Sequence, residues 1–494
     1  MGARTQTHQT PAPTHLQAGS GPDSGPCPDQ APQSGKVLEL GLAFARTVRH
    51  FWPKLNSWLE GMPDTRFQPM VEYVPRFLYW WGLLLFCCKL GSRRQLDFEL
   101  RDDQLRVLDN VNRLAQTKQT TLPVNKTLSH FLSHVGSGPL AQLRTDCVRH
   151  LIRNKVLDSI RLKGCFPAVI DGSGFLSFSE PHCPYCLVHR HQTHTVYLHP
   201  VLEAKLADPR GLALSVATEF IQNPIQPPSQ LQPSTLTTYE QVKQDCELKA
   251  FARLAKQLKS QFPQTRFCIC GDSLYACGPV FALCKANKWS FVLTFKEGRT
   301  PALWQEFQSL LKLHRHNRLI VHLPDKKTKQ TFHWVNDLEH IDQNNQRHVL
   351  HALLCEESGP EAKQTFAWVT DFRLDHNNVC AIATQAGRVR CNIENQGFNI
   401  QKNSGLNLEH AYSTDPELMK CFYYLLQIAH LFLQMFEMGS LLRHLARKYN
   451  TTPLGLFGSL KNLAKRLLEC LRYFELGEQI FQSGPGQIRL CDSG

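Results

Sequence analysis

The stretches CFPAVIDGSG (165–174) and FCICGDSLYA (267–276) share one design, an apolar run that ends in an aspartate followed by a turn of small residues. Each run has the length and residue types of a buried strand. Asp171 and Asp272 are therefore predicted at strand ends, where carboxylates that face a common crevice can hold divalent cations. Taken alone, an aspartate at a strand end is more often a turn or helix cap than a metal ligand.

The segments around these two strands predict an α/β layer fold with a mixed sheet. Strand-like runs rich in Val, Leu, Tyr and Thr occupy 194–206 and 212–221. Residues 245–262 keep the apolar period of a helix, and a further helix and strand follow Asp272. Three early strands followed by alternating helix and strand are typical of this class of fold.

Composition and periodicity divide the rest of the chain. Polar, Pro-rich and Gly-rich residues predict a disordered tail at the start, and apolar residues at helical spacing predict helices on both sides of the core. The predicted parts are a tail (1–36), a helical region that either binds DNA or serves as a scaffold (37–160), a catalytic core (161–311 and 386–412), a β-rich insertion (312–385), a helical C-terminal region (413–480) and a second tail (481–494).

Charge and cysteine content indicate the class of partner and the compartment. The 55 Lys and Arg residues outweigh 42 Asp and Glu, and the net charge of +13 attracts polyanions such as nucleic acid. The 18 cysteines are scattered, several in apolar runs, as reduced cytoplasmic thiols are. No secretory signal is visible, and the most apolar run (77–88) is shorter than the roughly 20 residues that span a bilayer. We therefore expect a cytoplasmic protein with no membrane partner.

A third acidic residue lies in the segment GRVRCNIENQGFNIQKNSGLNLEHAY (387–412). Arg390 precedes Glu394 by four residues, so the two share one face of a helix. A solvated ion pair would explain this spacing, but Ile393 and Phe398 give the helix an inward side as well. Asp171, Asp272 and Glu394 together would supply the hard oxygen ligands that Mg²⁺ prefers.

The stretches VIDGSG, KQDCE, GDSLYA, FAWVTDF and RVRCNIENQGFNIQKNSG carry a resemblance that covers roughly residues 75–440. They resemble bacterial insertion-sequence transposases of the DDE class, in the group with a Tyr-Arg-Glu-Lys signature around the last acid. The resemblance implies an RNase H-like catalytic core with a β insertion before that acid. It also implies that Asp171, Asp272 and Glu394 bind Mg²⁺ (two ions, or Mn²⁺) and that Arg390 contacts the DNA backbone.

Two positions depart from the signature, and one aromatic residue has two interpretations. Gly387 stands where the tyrosine is expected, and the lysine comes one residue late, at Lys402. Trp368 lies in the insertion, where relatives can stack an aromatic ring on a flipped base. A tryptophan in a strand is more often part of the core, and we favour that interpretation. The predicted DNA-binding residues are thus Arg390, Lys402 and, in the stacking alternative, Trp368.

The stretch PHCPYCLVHRHQTH (181–194) is dense in metal-ligating side chains. Cys183 and Cys186 form a CxxC pair, and His189 and His191 follow closely, a spacing that would suit a tetrahedral structural Zn²⁺ site. The same residues could form a tight turn with reduced thiols or a His-rich surface loop. Redox chemistry is disfavoured, because no thioredoxin-like βαβ pattern surrounds the pair.

The function implied by the resemblance is DNA transposition. A homodimer on double-stranded DNA would bind inverted-repeat transposon ends, cleave a phosphodiester to free a 3′-OH and join that 3′-OH to target DNA, in association with the nucleoid. Two alternatives remain open, a catalytically silent DNA-binding descendant of a transposase and an RNase H-like DNA nuclease without strand transfer.

Overall fold

The computed structural model describes residues 30–101, 105–181, 183–223, 245–323, 327–360, 363–478 and 488–490. Most of the two predicted tails lies outside these ranges. Both predicted tails are corrected in part, because the structure describes ordered contacts within the ranges that were predicted as tails. The first helix begins at Gln30, inside the range predicted as tail, and continues into apolar residues that pack in the core. Near the other end, Ser440 N donates to Arg489 O over 2.8 Å, so residues 488–490 are paired with the C-terminal helices.

Helices occupy most of the region before the sheet. The residues of α3 from Phe77 to Cys87 are all buried, so the most apolar run of the chain is a core helix as predicted. These helices are α1 (Gln30–Phe51), α2 (Leu55–Glu60), α3 (Pro75–Cys87), α4 (Arg93–Leu100), α5 (Val107–Ala115), α6 (Asn125–Val135) and α7 (Ser137–Arg153).

A mixed sheet of parallel and antiparallel strands forms the centre of the fold and confirms the predicted α/β class. Its first six strands are β1 (Phe166–Phe178), β2 (Leu187–Arg190), β3 (Thr195–Ala207), β4 (Ala213–Phe220), β5 (Phe267–Gly271) and β6 (Ser290–Thr294). β3 runs antiparallel to β1, β2 and β4, whereas β5 runs parallel to both β1 and β6. The helices α8 (Glu247–Gln261) and α9 (Gly278–Asn287) make the connections that parallel strands require.

The strands of the predicted β-rich insertion continue this same sheet. After α10 (Pro301–Leu313) come β7 (Arg318–His322), β8 (Lys329–Ile341), β9 (Arg347–Ser358) and β10 (Lys363–Thr370). β10 pairs antiparallel with β6, with Trp368 opposite Thr294, and β9, β8 and β7 follow outward in turn. The insertion therefore extends the core sheet instead of forming a separate one.

The C-terminal part returns as helices over one face of the sheet. A helical segment at 379–403 comes first, followed by α14 (Pro416–Glu437), α15 (Ser440–Lys448), α16 (Pro453–Phe457) and α17 (Leu460–Tyr473). In 379–403, the α-helical turns α11 (Val379–Ile382), α12 (Arg390–Asn392) and α13 (Ile400–Asn403) alternate with π-helical turns at Ala383–Gly387 and Ile393–Asn399. Asp415 caps α14 by accepting from the backbone of Glu417 and Leu418. Among the described helices, none combines the length and apolar character needed to cross a membrane.

Candidate functional site

Asp171 and Asp272 lie next to each other at the edge where β5 ends. The parallel pairing of β1 and β5 matches Val169 with Cys270, and each aspartate lies two residues after the paired residue of its own strand. β1 continues beyond Asp171 to Phe178, whereas β5 ends at Gly271. The Asp272 side chain accepts from Leu274 N over 2.8 Å and so caps the turn that carries it. Asp272 directly follows the end of β5, as predicted, whereas Asp171 lies within β1, so the strand-end position predicted for Asp171 is corrected. The strand continues past Asp171 because the following residues pair with β3.

Glu247 is a third carboxylate in this neighbourhood, which the sequence interpretation missed. It occupies the first turn of α8 and accepts from the Tyr275 hydroxyl over 3.2 Å. Its carboxylate fills the space beside Gly172, so a side chain at this position of β1 would displace Glu247 from it. The signal was present in KQDCE, one of the stretches that carry the resemblance, but a glutamate in a first helical turn is usually a simple helix-dipole partner.

Arg390, in the helical segment 379–403, brings a positive charge close to the acidic residues. Its guanidinium Nη1 lies 3.7 Å from Asp171 Oδ2, and both side chains are mostly shielded from solvent. Glu394 follows in the next turn, in the π-helical stretch that packs against β1, and its side chain is exposed. Among the described residues, the oxygens of Asp171, Asp272 and Glu394 do not form a group within 4.8 Å of one another. The acids that interact electrostatically are instead Asp171, Asp272 and Glu247.

The two departures from the signature have structural explanations. The indole of Trp368 occupies the space beside Gly387, so a larger residue at 387 would require the tryptophan to move. Position 401 faces the core, where Gln401 is fully buried against Gln427, whereas position 402 faces outward and lets Lys402 pair with Glu409 at 2.8 Å. A lysine at 401 would have to bury its charge, which is costly without a partner.

Trp368 belongs to the core, as the favoured interpretation held. The side chain is 3% exposed and its ring stacks on Phe366 at a centroid distance of 5.9 Å. The stacking alternative, in which Trp368 contacts a flipped base, is therefore corrected, because the ring presents no accessible face to a base in this structure.

The electrostatics at Asp171 suit a cation site. The pKa of Asp171 is raised to about 6, chiefly by burial, with smaller raising contributions from the Glu247 and Asp272 carboxylates and an opposing contribution from the Arg390 guanidinium. Burial, together with the negative charge of Asp272, also raises the pKa of Glu247. Partly buried carboxylates that repel one another gain stability from a bound divalent cation, because it removes the repulsion.

This electrostatic cost gives a testable stability prediction for Asp171→Asn. A carboxyl group with a folded-state pKa raised above its unfolded value costs stability once it is ionised, so the cost grows between about pH 4 and pH 6 and is complete above. In the presence of EDTA at pH 8, Asp171→Asn should be more stable than the wild type by roughly 2–3 kcal/mol, and by about half of that at pH 5. Urea unfolding at the two pH values measures this difference, and a pH-independent difference would contradict the explanation. Asp109→Asn, an exposed helical residue, is the control.

A histidine lies beside the cysteine pair, but it is His199 and not the predicted His189 or His191. Cys183 Sγ and Cys186 Sγ lie 3.7 Å apart, and His199 Nε2 of β3 lies 3.5 Å and 3.3 Å from them. His189 and His191 instead contact each other at 3.1 Å on the exposed end of β2, which corrects their assignment. His199 was missed because its 13-residue separation from Cys186 is closed only by the pairing of β2 with β3.

A basic cleft opens at the opposite end of β1 and β5, where these strands begin. It has a volume of about 660 Å³, and its charged lining consists of four arginines, Arg149, Arg153, Arg161 and Arg266. Arg149 and Arg161 pair with nearby aspartates, and Arg153 and Arg266 are exposed. Such a concentration of guanidinium groups attracts polyanions.

No protein-family model matches the chain, and no curated protein matches its sequence.

Proposed function

We propose that the chain is a metal-dependent DNA transposase of the DDE class with an RNase H-like core. The observation that carries the proposal is that Asp171 within β1 and Asp272 at the end of β5 lie on neighbouring parallel strands, with Arg390 Nη1 3.7 Å from Asp171 Oδ2. The strand arrangement supports the RNase H-like part, because three antiparallel strands (β1, β3, β4) precede two strands (β5, β6) that run parallel to β1.

Asp171, Asp272 and Glu394 would hold the divalent cations. A bound pair of ions, Mg²⁺ or Mn²⁺, would supply activation of the attacking oxygen and stabilisation of the leaving oxygen in phosphodiester chemistry. Asp171 and Asp272 contribute preformed ligands whose mutual repulsion favours cation binding. Glu394 would join them when DNA is bound, since it lies one turn beyond Arg390 on a segment with π-helical turns, a feature frequent at functional sites.

Arg390 and Glu247 have supporting roles in this proposal. Arg390 Nη1 lies 3.7 Å from Asp171 Oδ2, and with a cation bound at the acids the guanidinium would be available to a DNA phosphate. Glu247 acts as a positioning residue, because its hydrogen bond to Tyr275 holds the turn that begins at Asp272. The reaction hydrolyses one phosphodiester to free a 3′-OH, and that 3′-OH then attacks a phosphodiester of target DNA.

The positive charge of the chain supports DNA as the substrate. The net charge of +13 and the four arginines of the basic cleft favour a polyanion, and the cleft lies at the end of β1 away from the acids. DNA that contacts both the acids and the basic cleft would engage several phosphates with the protein. Binding through several phosphates weakens steeply as salt concentration rises.

Variants of Glu394 and Glu247 test the proposal, because they compare the proposed metal ligand with the proposed positioning residue. The wild type, Glu394→Gln and Glu247→Gln are incubated with DNA that carries the inverted repeats flanking the coding sequence, with Mg²⁺ or with EDTA. We expect metal-dependent cleavage and strand transfer by the wild type, a loss of about 10³-fold in Glu394→Gln, and at most about tenfold in Glu247→Gln, whose amide can still accept from Tyr275. The reverse ranking would identify Glu247 as the third acid.

The exposed side chain of Glu394 favours a second candidate function, a catalytically silent descendant of a transposase that binds DNA. Within the described part of the chain, its carboxylate is not grouped with the other two acids. A wild-type chain that binds the DNA ends with metal present but neither cuts nor joins them, in conditions where an active transposase does, would establish this candidate. Cleavage without strand transfer would instead identify a nuclease.

A further inference from the structure

Cys183, Cys186 and His199 form a cluster separate from the acidic residues, and the distances between their ligand atoms can be compared with those of a zinc site. A tetrahedral zinc ion with Zn–S bonds of about 2.3 Å and a Zn–N bond of about 2.0–2.1 Å separates two sulfurs by about 3.8 Å and sulfur from nitrogen by about 3.5 Å. The observed separations are 3.7 Å between the sulfurs, and 3.5 Å and 3.3 Å from the sulfurs to His199 Nε2. The three atoms therefore form one face of a tetrahedron of the right size.

The surroundings of the cluster are those of a structural site. Cys186 and His199 are 2% and 3% exposed, and the rings of Phe175 and Phe178 pack edge-on against the imidazole. Asn223 Nδ2 donates to the Cys186 carbonyl over 2.9 Å, which fixes the loop that carries the thiols. The two sulfurs are not joined by a disulfide.

We infer that Cys183, Cys186 and His199 bind a structural Zn²⁺ ion that joins the loop after β1 to the start of β3. Two thiolates and an imidazole form a soft ligand set, which suits Zn²⁺ and not the Mg²⁺ proposed for the acids. The ion would fasten the outer half of the β1–β3 pair, the part that extends beyond Asp171. This inference does not depend on the proposed DNA chemistry.

Metal analysis of the purified full-length chain tests the inference. The protein is prepared under reducing conditions without chelator or metal-affinity resin, and zinc is measured by mass spectrometry. We expect about one zinc ion per chain in the wild type and near zero in Cys186→Ser and in His199→Gln. The double variant His189→Gln/His191→Gln should retain the full amount, because these two residues lie outside the cluster.

A second measurement needs no variant and so does not depend on variants folding. Co²⁺ is added to wild-type protein after chelator treatment, and thiolate-to-cobalt charge-transfer absorption is expected at a stoichiometry of about one. Alkylation mapped by peptide mass spectrometry should show Cys183 and Cys186 protected by zinc and reactive after its removal. A wild type with no zinc and no cobalt absorption would overturn the inference, as would loss of zinc from the His189/His191 variant but not from His199→Gln.

Discussion

Replacing Asp272 with asparagine is expected to reduce metal-dependent DNA cleavage by at least about 10³-fold, equivalent to about 4 kcal/mol of transition-state stabilisation. Asp272 lies beside Asp171 at the end of β5, and the substitution removes one negative charge from the proposed cation site. The fold should persist, because the asparagine side-chain oxygen can still accept from Leu274 N, as the carboxylate does over 2.8 Å. DNA binding should stay within about twofold of the wild type, because no phosphate contact is lost.

The chain offers a matched control for this prediction. Asp415 is also an aspartate cap that accepts from backbone amides, those of Glu417 and Leu418, but it starts α14 away from the acids. Asp415→Asn should cleave at the wild-type rate. Gel assays measure cleavage, and fluorescence anisotropy measures binding in the same buffer. Equal loss in both variants would mean that capping, not cation binding, explains the effect, and normal cleavage by Asp272→Asn would exclude Asp272 from the site.

Glu203→Ala is expected to lower the free energy of unfolding by about 3–5 kcal/mol. Glu203 is fully buried in β3, where it accepts from Thr218 Oγ1 and from the Tyr423 hydroxyl at 2.9 Å. Lys205 and Arg144 are fully buried nearby, and burial lowers the pKa of Lys205 to about 8 although Glu203 favours its charged form. Glu203 is the acid that favours the charged form of Lys205, so its removal leaves that buried charge less compensated, and an uncompensated buried charge is strongly destabilising.

Urea unfolding followed by tryptophan fluorescence measures this loss. The exposed Glu60, which pairs with Arg76, is the control, and Glu60→Ala should cost no more than about 1 kcal/mol. Adding Lys205→Met to Glu203→Ala should recover part of the stability, because the buried charge of Lys205 is then removed. A loss below about 1 kcal/mol in Glu203→Ala, or no recovery in the double variant, would contradict the buried-charge explanation.

This buried network also supports the candidate site. Glu203 lies directly opposite Asp171 in the β1–β3 pairing, so both side chains project from the same face of the sheet. On that face Lys205 Nζ lies 5.0 Å from the centre of the Phe398 ring, in the π-helical stretch that carries Glu394, and donates to Gln427 of α14. The network thus holds the Arg390–Glu394 segment against the strand that carries Asp171, and its loss should reduce catalysis as well as stability.

Local patterns in the sequence were sufficient for the buried strands that precede Asp171 and Asp272. The apolar runs predicted these strands because a buried strand is specified by neighbouring residues, but the extension of β1 beyond Asp171 depends on its pairing with β3. The buried helix at 77–88 followed from the same kind of local evidence. For the third acid, the sequence indicated Glu394 through a signature, and its role stays a prediction.

Tertiary structure alone decided which distant residues meet. Glu247 reaches the acids because α8 begins beside Gly172, and His199 reaches the thiols because β3 folds back along β1 and β2. Trp368 is buried because β10 lies between β6 and β9 inside the sheet and the π-helical turn that contains Gly387 packs against the indole. Sequence periodicity records which face of an element is apolar, but it does not record which element covers that face. Pairing register and packing decide that choice, and they depend on the whole chain.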